Sequence, residues 1–262
     1  MTFDAEATDS RAFTLATDLD GTFLGGSDED RARLYSWIED NRDSVRLIFV
    51  TGRDPEFIGS VCAEGRLPWP EYIIGDVGTT IARVSPERTI APIEVLEDEI
   101  VTRWNDSGAR VRQGLENVAG LTVQETPFRY RVSYHYDPDR FDPVAHDIVA
   151  DLGLDLLISD NRFLDVLPPG VSKGPSLLRL LGHLGIAPAR TLAAGDTLND
   201  LSMLVAGTRA VAVGGSEQPL LDALPATPDI LRARAIGAAG IAEAIAHFNL
   251  HPRSEEILSD AV

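Results

Sequence analysis

Two carboxylates stand two residues apart in the run Asp18-Leu19-Asp20-Gly21-Thr22. Paired acids of this kind can hold a hard cation, divide nucleophilic and proton-transfer work between them, or do no more than close an Asx-turn. A calcium loop starting at Asp18 would find Glu29 at its twelfth position. It fails at Phe23, which takes the sixth position, where the turn needs glycine. Thr51-Gly52-Arg53 offers a hydroxyl and backbone N–H groups to an anion, although a plain strand-to-helix turn explains the same residues. Lys173-Gly174 follows the turn Pro168-Pro169-Gly170 just ahead of a helix pattern, and a lysine there is most often a solvated surface group. Gly195-Asp196-Thr197-Leu198-Asn199-Asp200 carries two acids four apart with Asn199 between them, where capping a helix needs only one such residue.

The elements that must position these clusters alternate. Ala12 to Thr17 reads as a strand ending at the first cluster, and Arg31 to Glu39 as a helix with Leu34, Trp37 and Ile38 at helical spacing. Val45 to Val50 is a nearly continuous apolar run that breaks at Thr51, the pattern of a buried parallel strand. A helix over about Pro55 to Glu64 follows, then a strand at Tyr72 to Gly75. This βαβαβ rhythm predicts an α/β fold with a doubly wound, Rossmann-like parallel sheet.

From about Ser85 the character changes. One long polar helix is expected over about Glu94 to Asn117, strands at Leu121 to Glu125 and Arg129 to Tyr136, a helix at Asp142 to Leu152, and strands at Leu154 to Ile158 and Phe163 to Leu167. These form a smaller inserted α/β module. The expected division is a core over 1–84 and 167–262, with an inserted cap over 85–166. After it the first rhythm resumes, with a helix at Ser176 to Leu184, a strand at Arg190 to Ala194, a helix at Leu201 to Ala206, a strand at Ala210 to Val213 and a closing helix at Ile236 to Phe248. The tail after Asn249 is expected to fray.

All four clusters therefore fall just after strands or in loops feeding helices, the edge where open α/β sheets bind ligands. Together they supply carboxylates for one divalent cation, a lysine and a hydroxyl for phosphate oxygens, and a spare carboxylate for proton transfer. That combination fits phosphoryl transfer.

Composition excludes other classes. The 262 residues carry 23 basic and 41 acidic side chains, a formal charge of −18, with 44% hydrophobic residues. So acidic a chain offers no broad cationic face to nucleic acid and is repelled by an anionic membrane surface. The single cysteine, Cys62, forbids an internal disulfide, no Cys/His cluster has zinc spacing, and no long apolar stretch reads as a signal or a membrane span. A cytoplasmic protein is expected, with no nucleic-acid or membrane partner and with either a monomer or a dimer open.

The ordered set Asp-x-Asp-Gly-Thr, Thr-Gly-Arg, Lys-Gly and Gly-Asp-x-x-Asn-Asp resembles the haloacid dehalogenase superfamily of phosphatases, and the resemblance covers the whole chain. The inserted module corresponds to the type IIB cap of that superfamily. VSYHYDP (Val132 to Pro138), DVLPPGVSKG (Asp165 to Gly174) and GDVGTTI (Gly75 to Ile81) are similar to sucrose-phosphate phosphatases and related glycoside-phosphate phosphatases. Those enzymes usually read Asp-x-Asp-Asn-Thr and Gly-Asp-Ser-Gly-Asn-Asp, where this chain has Gly21, Thr197 and Leu198. Mannosylfructose, glucosylglycerol, mannosylglycerate and free hexose phosphates therefore stay open beside sucrose phosphate.

The resemblance implies a Mg²⁺-dependent phosphatase of a phosphorylated sugar. Asp18 would be the nucleophile that forms an aspartyl-phosphate, and Asp20 would protonate the leaving oxygen and later take a proton from water. Asp18, the backbone carbonyl of Asp20 and Asp196 would hold Mg²⁺, with Asp200 orienting a water on it from behind. Thr51 and Lys173 would complete the catalytic set, with Gly52, Arg53 and Asn199 binding near the phosphate. At roughly 4 Å and an effective dielectric near 20, each like-charge pair costs about 4 kcal/mol. Cation, lysine and hydroxyl must therefore offset the repulsion between carboxylate and phosphate. Arg129, Arg131, Ser133 and His135 alternate on one expected strand and would present one polar face to the sugar, with Tyr134 and Tyr136 packed behind. The cap is expected to close with hinges near Ser85 and Leu167. The same chemistry would also serve a phosphotransferase or mutase, and a non-catalytic sugar-phosphate-binding protein would have lost one of these residues.

Overall fold

The computed structural model describes residues 12–126 and 128–258; the beginning of the expected core segment, Pro127 and the last four residues of the tail lie outside them. Two sheets organise the chain. The larger contains β1 (Phe13–Thr17), β2 (Val45–Val50), β3 (Tyr72–Gly75), β4 (Thr80–Val84) and β5 (Ile90–Pro92) from the first part of the sequence. A smaller antiparallel sheet follows, with β6 (Leu121–Val123), β7 (Val132–Tyr136), β8 (Asp155–Ser159) and β9 (Phe163–Leu167). The chain then returns to the larger sheet with β10 (Thr191–Gly195), β11 (Arg209–Gly214) and β12 (Ile230–Ile236).

The order of the large sheet is β12-β11-β10-β1-β2-β3-β4-β5, parallel from β12 to β3 and antiparallel at β4 and β5. Strand order reverses between β1 and β10, which places the topological switch point at their carboxyl ends. Alternate side chains divide into two cores. Leu15, Leu47, Phe49 and Val211 pack on one face under the helices Asp28–Asp40, Pro55–Ala63 and Ala238–His247. Ala16, Ile48, Val50 and Ala212 pack on the other, against the helix Lys173–His183. Strands buried on both faces are why VRLIFV and TLAAG read as nearly continuous apolar runs. The small sheet has its own core, where Tyr134, Leu164 and Val166 meet Val111 and Val149, with Tyr136 against its edge.

Several expectations are corrected. The single helix over about Glu94 to Asn117 is two, Glu94–Trp104 and Gly108–Leu115, broken where Asn105 and Asp106 take φ of +48° and +49°, a region Asn and Asp tolerate better than most residues. The strand expected from Arg129 begins only at Val132, so Arg129 lies off it. Strands β4, β5 and β12 were not expected, and β12 takes Ile236 from the closing helix, which starts at Ala238. Ile90–Pro92 still pairs with β4, beyond Ser85, where the sequence places the passage into the insert. The segment after Asn249 does not fray up to residue 258: Trp37 Nε1 donates to Arg253 O at 3.2 Å, and Ile257 is buried in the core.

Candidate active site

Asp18 leaves β1 at the switch point, and Asp196 leaves β10 beside it. Lys173, first residue of its helix, reaches in from the side: its Nζ donates to Asp18 Oδ1 and to Asp200 Oδ1, each at 2.6 Å. All three groups are buried, the lysine to 1% exposure. A buried ammonium with two carboxylate partners is a built feature, because an unpaired one would be expelled or neutralised.

Asp196 stands half-buried with Oδ1 accepting from Thr22 Oγ1 at 2.6 Å. Gly21 has φ +81°, and a Cβ there would stand 2.2 Å from Asp196 Oδ2, so glycine both turns the chain and leaves room for the acid. Asp200 fixes the loop that carries Asp196: its Oδ2 accepts from the backbone N–H groups of Asp196 and Thr197, each at 3.0 Å. Capping and chemistry are therefore both served in this cluster. Leu198 N donates to Glu217 Oε2 at 2.9 Å, a support the sequence reading did not single out.

Oxygens of Asp18, Asp196 and Asp200 lie within 4.8 Å of one another. Three carboxylates against one ammonium leave two negative charges, the complement of one divalent cation. Burial pushes the Asp18 carboxyl well above its ordinary value; Lys173 pulls it down, and Asp200 and Asp196 add to the rise. Burial also raises Asp196 to about 7, opposed by the Thr22 hydrogen bond and helped by Asp200. Burial alone would lower the Lys173 ammonium, but Asp18 and Asp200 outweigh it and hold it above its ordinary value. Carboxyls strained upward in this way are relieved by a bound cation, and an all-oxygen set suits Mg²⁺.

The other expected residues are placed as follows. Asp20 is exposed, and Arg53 forks onto it, Nε to Oδ2 at 2.8 Å and Nη2 to Oδ1 at 3.0 Å. Thr51 is buried, and its Oγ1 accepts from Arg53 N at 3.2 Å. Asn199 Oδ1 accepts from Thr197 Oγ1 at 3.0 Å. Within the insert, Ser133 and His135 share one face of β7, Ser133 buried and His135 exposed opposite Phe163. Arg129 departs from that face and forks onto Glu97, Nη1 to Oε2 at 3.0 Å and Nη2 to Oε1 at 2.9 Å. Arg131 is 5% exposed and donates from Nη1 to Asp165 Oδ1 and from Nη2 to Gly52 O, both at 3.0 Å. Ser133 Oγ donates to the same Asp165 oxygen. Thus the structure corrects the expected four-residue sugar face: two of its members, the exposed Arg129 and the buried Arg131, spend their charge on carboxylates of the protein itself. Asp76, Glu97 and Asp165 were missed; Asp76 and Asp165 stood inside the fragments GDVGTTI and DVLPPGVSKG, whose resemblance was the signal available.

Among the described residues no helix is long and apolar enough to cross a membrane. A family model described as sucrose-6F-phosphate phosphohydrolase matches residues 11–249. The chain is 41% identical over 235 residues to glucosylglycerol-phosphate synthase of Pseudomonas anguilliseptica, covering 89% of this chain but only 30% of that protein. It is 30% identical to mannosylfructose-phosphate phosphatase of Agrobacterium fabrum, over 91% of this chain and 98% of that one. The solved sucrose-phosphatase of Synechocystis, in complex with sucrose and phosphate, superimposes with a TM-score of 0.81 at 26% identity, covering 91% of this chain and 98% of that chain.

Proposed function

Because the chain belongs to the sucrose-6F-phosphate phosphohydrolase family, we propose that it is a phosphatase that hydrolyses a phosphorylated sugar, a disaccharide or glycoside phosphate. The observation that carries this reading is the buried Asp18–Lys173–Asp200 bridge with Asp196 beside it at the switch point of the sheet.

Asp18 and Asp196, with the backbone carbonyl of Asp20, would hold Mg²⁺, and Asp200 would support it from behind. When bound, the cation supplies positive charge against the phosphate and the nucleophile. Lys173 holds Asp18 with one oxygen toward the ammonium, leaving the other to attack phosphorus and form an aspartyl-phosphate. Thr51 Oγ and the N–H groups of its loop bind phosphate oxygens, with Asn199 alongside. Asp20 protonates the departing sugar oxygen and then accepts a proton from the water that hydrolyses the acyl-phosphate. Both its oxygens rest on Arg53, so the half-exposed pair must open first, and an incoming phosphate competes for that guanidinium. We take the inserted module as a cap: the exposed His135 meets the sugar, with Ser133 buried beside it on Asp165, and the module excludes water when seated.

The names of two relatives point to substrates in which a sugar is joined to a phosphorylated partner, sucrose phosphate and mannosylfructose phosphate, and the synthase is named for a third compound of that kind, glucosylglycerol phosphate. Phosphate release from these three and from simple hexose phosphates tests the reading. Turnover of one glycoside phosphate well above the hexose phosphates is expected. Release from none of them, or transfer of phosphate to a second sugar in place of water, would refute it.

A further inference from the structure

The loop Thr51-Gly52-Arg53 has all three carbonyls held by hydrogen bonds from other segments. Thr51 O accepts from Val77 N at 3.1 Å, and Arg53 O from Asp76 N at 3.0 Å. Gly52 O accepts from Arg131 Nη2 at 3.0 Å. The first two donors belong to the large-sheet turn that follows β3. The third arrives on the insert.

That turn is strained. Asp76, Val77 and Gly78 have φ of +53°, +59° and +99°, and a β-branched residue in this region costs about 1–2 kcal/mol. Such a conformation persists where the surroundings over-determine it. Thr80 Oγ1 donates to Asp76 Oδ2 at 2.6 Å, and Ser176 Oγ to Gly78 O at 2.7 Å. A Cβ on Gly78 would stand 2.5 Å from the carbonyl carbon of Ser172. The turn is therefore wedged between the loop at Thr51 and the start of the helix that opens with Lys173.

Two arginines of the insert land on it. Arg129 Nη2 donates to Thr80 Oγ1 at 3.1 Å. Arg131 Nη2 stands 3.5 Å from Asp76 Oδ1, an oxygen that accepts no hydrogen bond among the described residues. Arg131 itself is anchored on Asp165 of β9, with its guanidinium 3.6 Å from the ring centroid of Phe128. Burial raises the Asp76 carboxyl above its ordinary value against the pull of Arg131 and Thr80.

We propose that Arg131 is a positioning residue for phosphate binding: anchored in the insert on Asp165, it holds the Gly52 carbonyl and faces Asp76, so the anion loop takes its binding geometry when the insert is seated. This rests on the reading of Thr51-Gly52-Arg53 as the phosphate loop. Only a planar fork serves these directions together; a lysine reaches one. Seating of the insert and phosphate affinity then favour each other reciprocally.

The test titrates inorganic phosphate into the full chain in Mg²⁺ buffer by calorimetry. It adds kcat and KM for a sugar phosphate and for para-nitrophenyl phosphate, in wild type, Arg131→Met and Arg131→Lys. Arg131→Met is expected to weaken phosphate about tenfold, within the usual range of coupling between sites. It should lower kcat/KM for both esters alike, with Arg131→Lys recovering part. Unchanged phosphate affinity with a raised KM for the sugar phosphate alone would overturn the proposal, because Arg131 would then act on the sugar. So would fewer binding sites per chain at unchanged Kd, the sign of a residue that only keeps the chain folded. If wild type hydrolyses neither ester, the phosphatase reading fails while the phosphate titration still decides on Arg131. No phosphate binding to wild type would overturn the proposal for Arg131, and turnover of either ester would still keep the phosphatase reading.

Discussion

Lys173 Nζ and Asp18 Oδ1 lie 2.6 Å apart although 155 positions separate them in sequence, and both are buried. The pair joins the two segments of chain on either side of the insert. Replacing the proposed nucleophile by its amide, Asp18→Asn, keeps the shape and removes one of three crowded negative charges. Phosphate release should fall about 10³-fold or more, while thermal unfolding of the metal-free protein stays level or rises. Full activity in this variant would remove Asp18 from its role.

Lys173→Met has the opposite balance. It leaves Asp18, Asp196 and Asp200 together without a counter-charge, and breaking a buried pair in this way costs about 3–5 kcal/mol. The variant should unfold at lower denaturant and recover most of the loss in Mg²⁺. An unchanged midpoint would mean that the ammonium does not hold the cluster.

Asp20→Asn should reduce turnover by about 10²–10⁴-fold, the range of a proton-transfer group. Its pair with Arg53 is half exposed and contributes about 0.2–1 kcal/mol at most, so the unfolding curve should scarcely move. A large shift in stability with little change in rate would reverse the assignment.

Metal and pH should be linked through Asp196. Its carboxyl is raised from 3.8 to about 7 in the folded chain, so the folded state binds the proton more tightly than the unfolded one. Metal-free stability from this group is full below pH 3.8 and is lost as pH rises through about 7. Added Mg²⁺ should flatten that fall. At about 100 times its Kd the gain is about 2.7 kcal/mol, and Asp196→Asn should lose most of it. Chelation should stop phosphate release and Mg²⁺ restore it; an equally steep pH fall with and without Mg²⁺ would contradict the site.

What the sequence revealed follows from how each element is buried. Strands β1, β2, β3, β10 and β11 are covered on both faces and show as apolar runs that stop at Asp18, Thr51 and Asp196. Strand β12, with the pattern ILRARAI, interleaves arginines and so hides. Strand β4 begins one residue after three residues of positive φ, a turn that no composition rule announces. That Arg129 and Arg131 are spent on partners within the protein was illegible for another reason. Glu97, Asp165 and Gly52 lie 32, 34 and 79 positions away, and only the folded register brings them near.

The insert leaves the large sheet after Pro92 and the chain rejoins it at Thr191. A module attached in this manner invites exchange between relatives, which would move the proposed sugar-recognition face as one piece. A transplanted module lacking a guanidinium where Arg131 stands would dock without bracing the floor beneath it, so chimeras would have to graft that one side chain along with the new recognition face.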